Sequence, residues 1–344
     1  MKVKLWRVVA YMMNHFARSL IAVLAMLVPG YAQDGHDPSK HSVQFVTVED
    51  GVRLEVLDWG GSGRPVVLLA GLGSTAHVFD GFAENLAKSY HVYGITRRGY
   101  GASSRPPSGY SEQQRTQDDL RVIDALKLVK PVVAGHSIAG DELSQLGIHH
   151  YDKIGGLVYL EALNDATDDY TDYIALCGKL PKAMQSVPSP SAADLKSFGA
   201  YRNWRLSTGQ VAVPESELRA EFEENAGGSV GENKTPEDVP AAIMAGREKH
   251  DYSQIRVPVL ALVGFPKTPD EQMQKNYVTD EGERIIVEAV YGMYVGMTRH
   301  RIDRMNRAAG GARVVELWGA DHFVFLSNPD DALREMRIFL GSVQ

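Results

Sequence analysis

The sequence has 344 residues, 44% of them hydrophobic and 23% charged, and a formal net charge of −7. This length and composition fit one large α/β domain with an insertion, and the negative charge argues against nucleic-acid binding. Cys177 is the only cysteine, so an internal disulfide is excluded.

The first 32 residues have the pattern of a secretory signal peptide. Four cations precede an apolar run over residues 20–28: Lys2, Lys4, Arg7 and Arg18. That run is too short to span a bilayer comfortably, and the small residues Gly30 and Ala32 favour cleavage before Gln33. We expect an exported protein, periplasmic or secreted, without stable membrane insertion; losing the four cations changes its charge from −7 to −11. The alternative is an uncleaved membrane anchor.

The next part of the chain alternates short apolar runs with helix-like segments. Apolar runs typical of buried strands cover residues 64–70 and 91–97, and apolar positions among charges predict a helix over 111–128. A further apolar run, 131–134, follows that helix. This alternation predicts a mostly parallel central sheet that is covered by helices on both faces.

A candidate nucleophile follows the fourth of these segments, in the hexapeptide Gly-His-Ser-Ile-Ala-Gly at residues 135–140. Ser137 is expected on a sharp strand-to-helix turn that pushes its hydroxyl out of the sheet. Gly135 and Ala139 are small enough for the strained backbone to pack closely, although the usual pattern has glycine where Ala139 stands.

The glycine-rich turn at residues 71–75 is the expected oxyanion loop. An acyl-transfer transition state needs two fixed N–H donors for its negative oxygen, and the backbone amides of Leu72 and Ile138 are the candidates.

In three of these segments the chain resembles the α/β-hydrolase superfamily: Leu-Leu-Ala-Gly-Leu-Gly at 68–73, Thr-Arg-Arg-Gly-Tyr-Gly-Ala-Ser at 96–103, and Gly-His-Ser-Ile-Ala-Gly at 135–140. The resemblance implies the α/β-hydrolase fold and a triad in the order serine, acid, histidine. Most members carry an aspartate before the Arg-Gly of the second segment, where this chain has Thr96 and Arg97.

His322 is the expected base, because the family places its catalytic histidine in a loop after the last strand. It stands in Gly-Ala-Asp-His-Phe, directly after the strand-like run 312–318. The other histidines show no metal-ligand spacing, and we expect neither a metal nor a cofactor.

Two strand ends are candidates for the carboxylate that orients this histidine, since family members place it after the sixth or the seventh strand. Glu161 follows the apolar run 154–160, in a Tyr-apolar-Glu-Ala context similar to that of haloalkane dehalogenases with the acid after the sixth strand. Asp270 and Asp165 are the alternatives. The usual position of the later acid is occupied by Lys267.

The alternation of strand-like and helix-like segments is interrupted over residues 166–250. This predicts a mostly helical cap between two core segments, 33–165 and 251–344. The stretch 191–206 has the spacing of an amphipathic helix. The segment 269–309 is expected to be packed scaffold.

A serine at position 137 argues against dehalogenase or epoxide-hydrolase chemistry, which needs a carboxylate nucleophile. We expect Ser137, His322 and Glu161 to cleave a small or medium carboxylic ester through an acyl-enzyme. The alternatives are an amide or peptide, lactone or carbon–carbon bond on the same triad, and a non-catalytic ligand-binding homologue. For an aminopeptidase, acidic cap residues could hold the substrate amine: Asp168, Asp169, Glu221, Glu223 and Glu224.

Overall fold

The computed structural model describes residues 40–185 and 187–343. The predicted signal peptide at residues 1–32 and its cleavage point lie outside the described residues. Within the two described ranges, no helix is both long enough and apolar enough to cross a membrane.

The centre of the fold is an eight-stranded sheet, and a small two-stranded hairpin lies outside it. The strands in chain order are β1 Ser42–Glu49, β2 Val52–Gly60, β3 Pro65–Leu69, β4 His91–Ile95, β5 Val132–His136, β6 Gly156–Leu160, β7 Phe222–Glu224, β8 Val230–Asn233, β9 Val259–Phe265 and β10 Ala312–Trp318. The central order is β1-β2-β4-β3-β5-β6-β9-β10, and only β2 runs against the other seven strands. The predicted mostly parallel sheet is confirmed.

Helices connect the strands and cover the sheet. They are α1 Asp80–Leu86, α2 Glu112–Ala125, α3 Gly140–His149, α4 Thr171–Cys177, α5 Lys182–Gln185, α6 Phe198–Ser207, α7 Glu215–Glu221, α8 Asp238–Ala245, α9 Pro269–Lys275, α10 Glu281–Met305, α11 Val324–Ser327 and α12 Pro329–Ser342. The helix predicted over 111–128 is α2, whose start is fixed by the Ser111 side chain accepting a hydrogen bond from the amide of Gln114.

Both faces of the sheet are buried, as expected for parallel strands between helical layers. In β3, Val66 and Leu68 pack on one face in a cluster with Phe325. Val67 lies on the opposite face, in a second cluster with Leu143 of α3. Consecutive apolar residues in one strand therefore fill two different cores, which explains the unbroken apolar runs in the sequence.

The long insertion after β6 holds helices α4 to α8 and the hairpin β7–β8 before β9 begins. The predicted cap at 166–250 did not include a hairpin. The helix predicted over 191–206 was too long at its start, because α6 begins only at Phe198. Ser191 and Asp194 instead form a hydrogen-bonded turn, and the Ser197 side chain accepts a hydrogen bond from Ala200 N.

Candidate active site

Ser137 lies where β5 ends and a short 3₁₀ turn, Ser137–Ala139, leads into α3. Its φ of +55° is in the left-handed region that non-glycine residues rarely adopt. Such strain is held in place by the surrounding structure and is found at functional positions. The serine thus lies on a sharp strand-to-helix turn at the carboxyl end of a central strand, as the sequence pattern predicts.

Two glycines make room for this turn. A Cβ on Gly140, the first residue of α3, would collide with the carbonyl oxygen of Ala162. A Cβ on Gly135 would lie only 2.9 Å from Cβ of Ala139. The methyl group of Ala139 is therefore accommodated because position 135 has no side chain.

His322 lies in the loop between β10 and α11, and its Nε2 is 2.9 Å from Oγ of Ser137. Nε2 of the buried His136 donates a hydrogen bond of 2.9 Å to the carbonyl oxygen of His322, which fixes the loop beside the nucleophile. Burial, and the nearby Arg301 cation, lower the pKa of His322 to about 4. The ring is therefore neutral near pH 7 and able to accept the serine proton.

Glu161 directly follows β6 and is also in the left-handed region, at a φ of +50°. Its Oε2 accepts a 2.6 Å hydrogen bond from the amide of Gly264, and its Oε1 accepts one of 3.0 Å from the Tyr294 hydroxyl. Burial raises the pKa of Glu161 to about 7, against these two hydrogen bonds. Glu161 lines the same pocket as Ser137 and His322, but no hydrogen bond joins it to the His322 ring among the described residues.

The two alternative acids have other surroundings. The side chain of Asp270 is 79% exposed and pairs with Arg284, away from the pocket. Asp165 is buried at the pocket wall, where it pairs with Arg304 and accepts a hydrogen bond from the amide of His250. Of the three candidate carboxylates, only Glu161 and Asp165 therefore lie near the serine.

Leu72 and Ile138, the predicted oxyanion residues, both line the pocket beside Ser137. Ile138 lies in the first turn after β5, where a backbone amide has no partner within its own helix. The loop that holds Leu72 is fixed by Arg97, whose Nη2 donates a 3.1 Å hydrogen bond to the carbonyl oxygen of Ala70. Arg97 is itself held by Glu142, at 2.9 Å from its Nε.

The unusual Thr96 supports the same loop. Its Oγ1 accepts a 3.1 Å hydrogen bond from the amide of Ala76, and its carbonyl accepts one of 2.6 Å from the Ser103 hydroxyl. A threonine therefore supplies a side-chain acceptor between these segments, where most of the resembling family carries an aspartate.

The pocket beside Ser137 has a volume of about 370 Å³. Three polar residues of this pocket were not predicted from the sequence: Arg247 after α8, and Tyr294 and Arg301 in α10. The segment 269–309 is thus not only scaffold. Tyr294 and Arg301 are seven residues apart, so they share one helix face, and this spacing was the signal available in the sequence.

Of the acidic cap residues, only Asp168 and Asp169 line the pocket. The other three lie at the end of α7 or in the hairpin: Glu221, Glu223 and Glu224. Asp168 pairs with Arg301 and Arg304, and Asp169 is exposed and accepts a hydrogen bond from the amide of Thr171. Asp168 is therefore already neutralised by protein cations.

In the described part of the chain, two groups of side chains bring possible metal ligands within 4.8 Å of one another: His41, His77 and Asp80, and Glu112, Asp141 and His250. In the first group, Asp80 also accepts hydrogen bonds from Trp59 and Ser216. In the second, Asp141 is paired with Arg247. Neither group lines the pocket, and the absence of a metal stays a prediction from the sequence.

Comparison with known proteins agrees with this architecture. The sequence profile of a family described as Alpha/beta hydrolase family matches residues 66–336. A protein of Caulobacter segnis named as a carbamate hydrolase is 39% identical over 112 residues, which are 32% of this chain and 42% of that protein. Epoxide hydrolase A of Mycobacterium tuberculosis is 27% identical over 198 residues, 56% of each chain. The chain thus spans about half or less of the length of these relatives.

A similar fold is found in the crystal structure of E-2-(acetamidomethylene)succinate hydrolase. Its TM-score is 0.62, and the match covers 88% of this chain and all of the other. At 16% sequence identity, this likeness concerns the fold alone.

Proposed function

This chain belongs to the alpha/beta hydrolase family, and we propose that it is a serine hydrolase that works through an acyl-enzyme. The observation that supports the proposal most directly is the 2.9 Å contact between Oγ of Ser137 and Nε2 of His322. A serine hydroxyl is a weak nucleophile until an adjacent base removes its proton, and this pair has the required geometry.

In the proposed reaction, Oγ of Ser137 attacks a substrate carbonyl carbon while His322 takes the proton. The negative oxygen of the tetrahedral intermediate is held by the backbone amides of Leu72 and Ile138. His322 then protonates the leaving group, and the acyl-enzyme remains. Water, deprotonated by the same ring, attacks the acyl-enzyme; the ring then returns the proton to Oγ of Ser137 as the acid is released.

Glu161 is the proposed acid of the triad. When His322 becomes an imidazolium, an ionised Glu161 in the same pocket stabilises that positive charge. The hydrogen bonds from Gly264 and Tyr294 favour the ionised carboxylate, whereas its burial disfavours it. The protonation states of this acid and this base are therefore coupled through the reaction.

A carboxylic ester of small or medium size is the proposed substrate. The pocket volume of about 370 Å³ lies near the lower end of the range of about 300–1,000 Å³ that is typical of ligand pockets. The serine at 137 argues against the carboxylate-nucleophile reaction of an epoxide hydrolase. A second candidate is a carbamate or other C–N bond, which is supported by the name of the Caulobacter relative.

The proposal is tested by incubating the purified protein with a fluorophosphonate probe, mapping the labelled peptide, and measuring turnover of p-nitrophenyl esters of increasing acyl length. We expect labelling at Ser137, ester turnover, and loss of both in Ser137→Ala. A parallel series of N-aryl amides and carbamates measures the second candidate. Ligand binding without labelling or turnover in a folded sample would instead support the non-catalytic alternative.

We also propose that the protein is exported, on the basis of the leader pattern at residues 1–32. Mass spectrometry of protein recovered from outside the cytoplasm should give an N-terminus at Gln33. An N-terminus at Met1 in the membrane fraction would support the uncleaved anchor.

A further inference from the structure

Two arginines line the pocket that contains Ser137, and they reach it from different elements. Arg247 follows α8 in the insertion, and Arg301 lies in α10. Their side chains are 7% and 9% exposed. A guanidinium that is almost fully buried has lost most of its contact with water, so its remaining donors interact strongly with a ligand in the pocket.

In each of these guanidinium groups, two of the three nitrogens donate hydrogen bonds that hold the side chain in place. Nε and Nη2 of Arg247 bind Asp141, and Nη2 also donates to the side chain of Asn164 at 2.9 Å. Nε of Arg301 donates to Asp168 at 3.1 Å, and its Nη2 donates to the hydroxyl of Tyr170 at 2.6 Å.

One nitrogen of each group remains available. Neither Nη1 of Arg247 nor Nη1 of Arg301 has a hydrogen-bond partner among residues 40–185 and 187–343. Because the other donors hold each side chain in one orientation, these nitrogens need little further ordering to bind a ligand.

The acids at the pocket do not offer a matching site for an amine. Asp165 pairs with Arg304, and Asp168 pairs with both Arg301 and Arg304. Asp169 is exposed, where water competes for a ligand, and Glu161 already accepts two hydrogen bonds. The lining thus has two guanidinium nitrogens without a partner among the described residues, while its buried carboxylates are occupied.

We infer that the substrate is an acyl compound with a free carboxylate, which Nη1 of Arg247 and Nη1 of Arg301 bind while the scissile carbonyl lies at Ser137. This inference rests on the proposed hydrolase function and narrows its substrate class. A carboxylate has two oxygens with several acceptor sites, so it can accept from two arginines at once. The small pocket limits the distance between the carboxylate and the scissile bond to a short chain.

The test compares two esters of equal shape, the mono-p-nitrophenyl ester of glutaric acid and p-nitrophenyl 5-methylhexanoate, in which an isopropyl group replaces the carboxylate. Spontaneous hydrolysis is subtracted with the Ser137→Ala variant. We expect kcat/KM to be at least tenfold higher for the glutarate ester. Equal kcat/KM values, with clear turnover of both esters, would overturn the inference and leave the hydrolase proposal standing.

Substitutions of the two arginines then test whether they cause the preference for the glutarate ester. Arg301→Gln and Arg247→Gln should each lower the ratio of the two kcat/KM values by about tenfold, mainly through a higher KM for the glutarate ester. Arg299→Gln is the matched control, since Arg299 lies in the same helix, pairs with Glu316 and is 46% exposed; it should keep the ratio. If the ratio of the two kcat/KM values is unchanged in both pocket variants, the assignment of the carboxylate site to these arginines is wrong.

A second measurement does not depend on the arginine variants. Glutarate should inhibit the wild-type protein at least tenfold more strongly than glutaramide, and it should bind Ser137→Ala in calorimetry. If neither ester is turned over but glutarate still binds Ser137→Ala, the anion site stands and the hydrolase function fails. If glutarate neither binds nor inhibits, the anion site is wrong.

Discussion

Glu217 of α7 accepts two hydrogen bonds from Thr75, one from the backbone amide at 2.9 Å and one from the hydroxyl at 2.5 Å. Thr75 ends the turn that carries Leu72, so a helix of the insertion is tied directly to the proposed oxyanion loop. Glu217 is fully buried. The insertion therefore does more than cover the pocket, because it helps to set the position of the loop that carries the proposed oxyanion amide.

Glu217→Ala should reduce both stability and turnover. The substitution leaves the buried amide of Thr75 without its partner, which costs about 1–3 kcal/mol. The freed loop should also lower kcat for a p-nitrophenyl ester by about tenfold, because the oxyanion donor at Leu72 is no longer held in place. Urea unfolding and steady-state kinetics measure the two effects.

Glu223→Ala is the control for this substitution, since Glu223 lies exposed in the hairpin β7–β8 of the same insertion. It should change neither quantity appreciably. An unchanged kcat in a folded Glu217→Ala protein would show that the tie to Thr75 is structural only.

Glu161→Gln should lower kcat/KM by about a hundredfold or more, because the amide cannot stabilise the imidazolium of His322. In the wild type, activity should rise with pH as Glu161 ionises around its pKa of about 7. A second rise near pH 4 is expected where His322 loses its proton. The pH profile of kcat/KM shows both rises, and the rise around pH 7 should be absent in Glu161→Gln.

Asp270→Asn provides the comparison for the acid, because Asp270 is exposed and pairs with Arg284 at the surface. Its activity should stay within about twofold of the wild type. The opposite pattern, with Asp270→Asn inactive and Glu161→Gln active, would reject Glu161 as the triad acid.

Tyr294→Phe should shift the rise of kcat/KM around pH 7, which is assigned to Glu161, to higher pH. The Tyr294 hydroxyl donates to Oε1 of Glu161 and favours the ionised carboxylate, so removing it raises the pKa of Glu161 further. We expect kcat/KM at pH 7 to fall several-fold and to recover at higher pH. Tyr277→Phe, at a side chain that is 93% exposed, should leave the profile in place, and a Tyr294→Phe profile with the wild-type midpoint would refute this positioning role.

Gly140→Ala should destabilise the protein strongly, whereas the neighbouring Ala139→Gly should be tolerated. The added methyl group of Gly140→Ala meets the backbone oxygen of Ala162, which cannot rotate away, and overpacking of this kind costs about 1–3 kcal/mol or more. Ala139→Gly only restores the usual pattern and should cost about 1 kcal/mol. Thermal unfolding of the two variants should therefore give clearly different midpoints.

Stability should fall as the pH rises above the ordinary glutamate pKa of 4.5. Burial raises the pKa values of both Glu217 and Glu221 in the folded protein. A carboxyl group with a raised folded pKa stabilises the protein fully below its unfolded pKa, and this contribution is lost as the pH rises through the folded value. Urea unfolding at several pH values should show a decrease of about 1 kcal/mol per pH unit within this window.

Glu221→Gln should make that decrease smaller, since the amide stays neutral at every pH and removes one of the two titrating groups. Glu223→Gln, in the exposed hairpin, serves as the comparison. An identical slope in Glu221→Gln and the wild type would assign the pH dependence to other buried acids.

The parallel strands and the turn at Ser137 could be predicted because each depends on local sequence. Continuous apolar runs predict buried parallel strands, and the runs 64–70 and 154–160 contain the buried strands β3 and β6. The turn at Ser137 has a backbone requirement that only small neighbours satisfy, and this requirement is visible as Gly135, Ala139 and Gly140.

The pocket residues from distant segments were harder to predict, because their roles depend on how the insertion and α10 pack over the sheet. Arg247, Tyr294 and Arg301 lie in stretches whose composition is that of ordinary helix surfaces. Only the tertiary arrangement places Tyr294 at Glu161, 133 residues away. The start of α6 was also missed, because a local Ser191–Asp194 turn competes with the helix.

The hydrogen bond from Gly264 to Glu161 joins the ends of two neighbouring strands. β6 and β9 are neighbours in the sheet, and the carboxylate that starts from the end of β6 reaches the backbone at the end of β9. One region of space is thus accessible from two adjacent strand ends. A carboxylate at either strand end can therefore reach the same place, and in this chain Glu161 occupies it from β6, whereas residue 267 beyond β9 is a lysine.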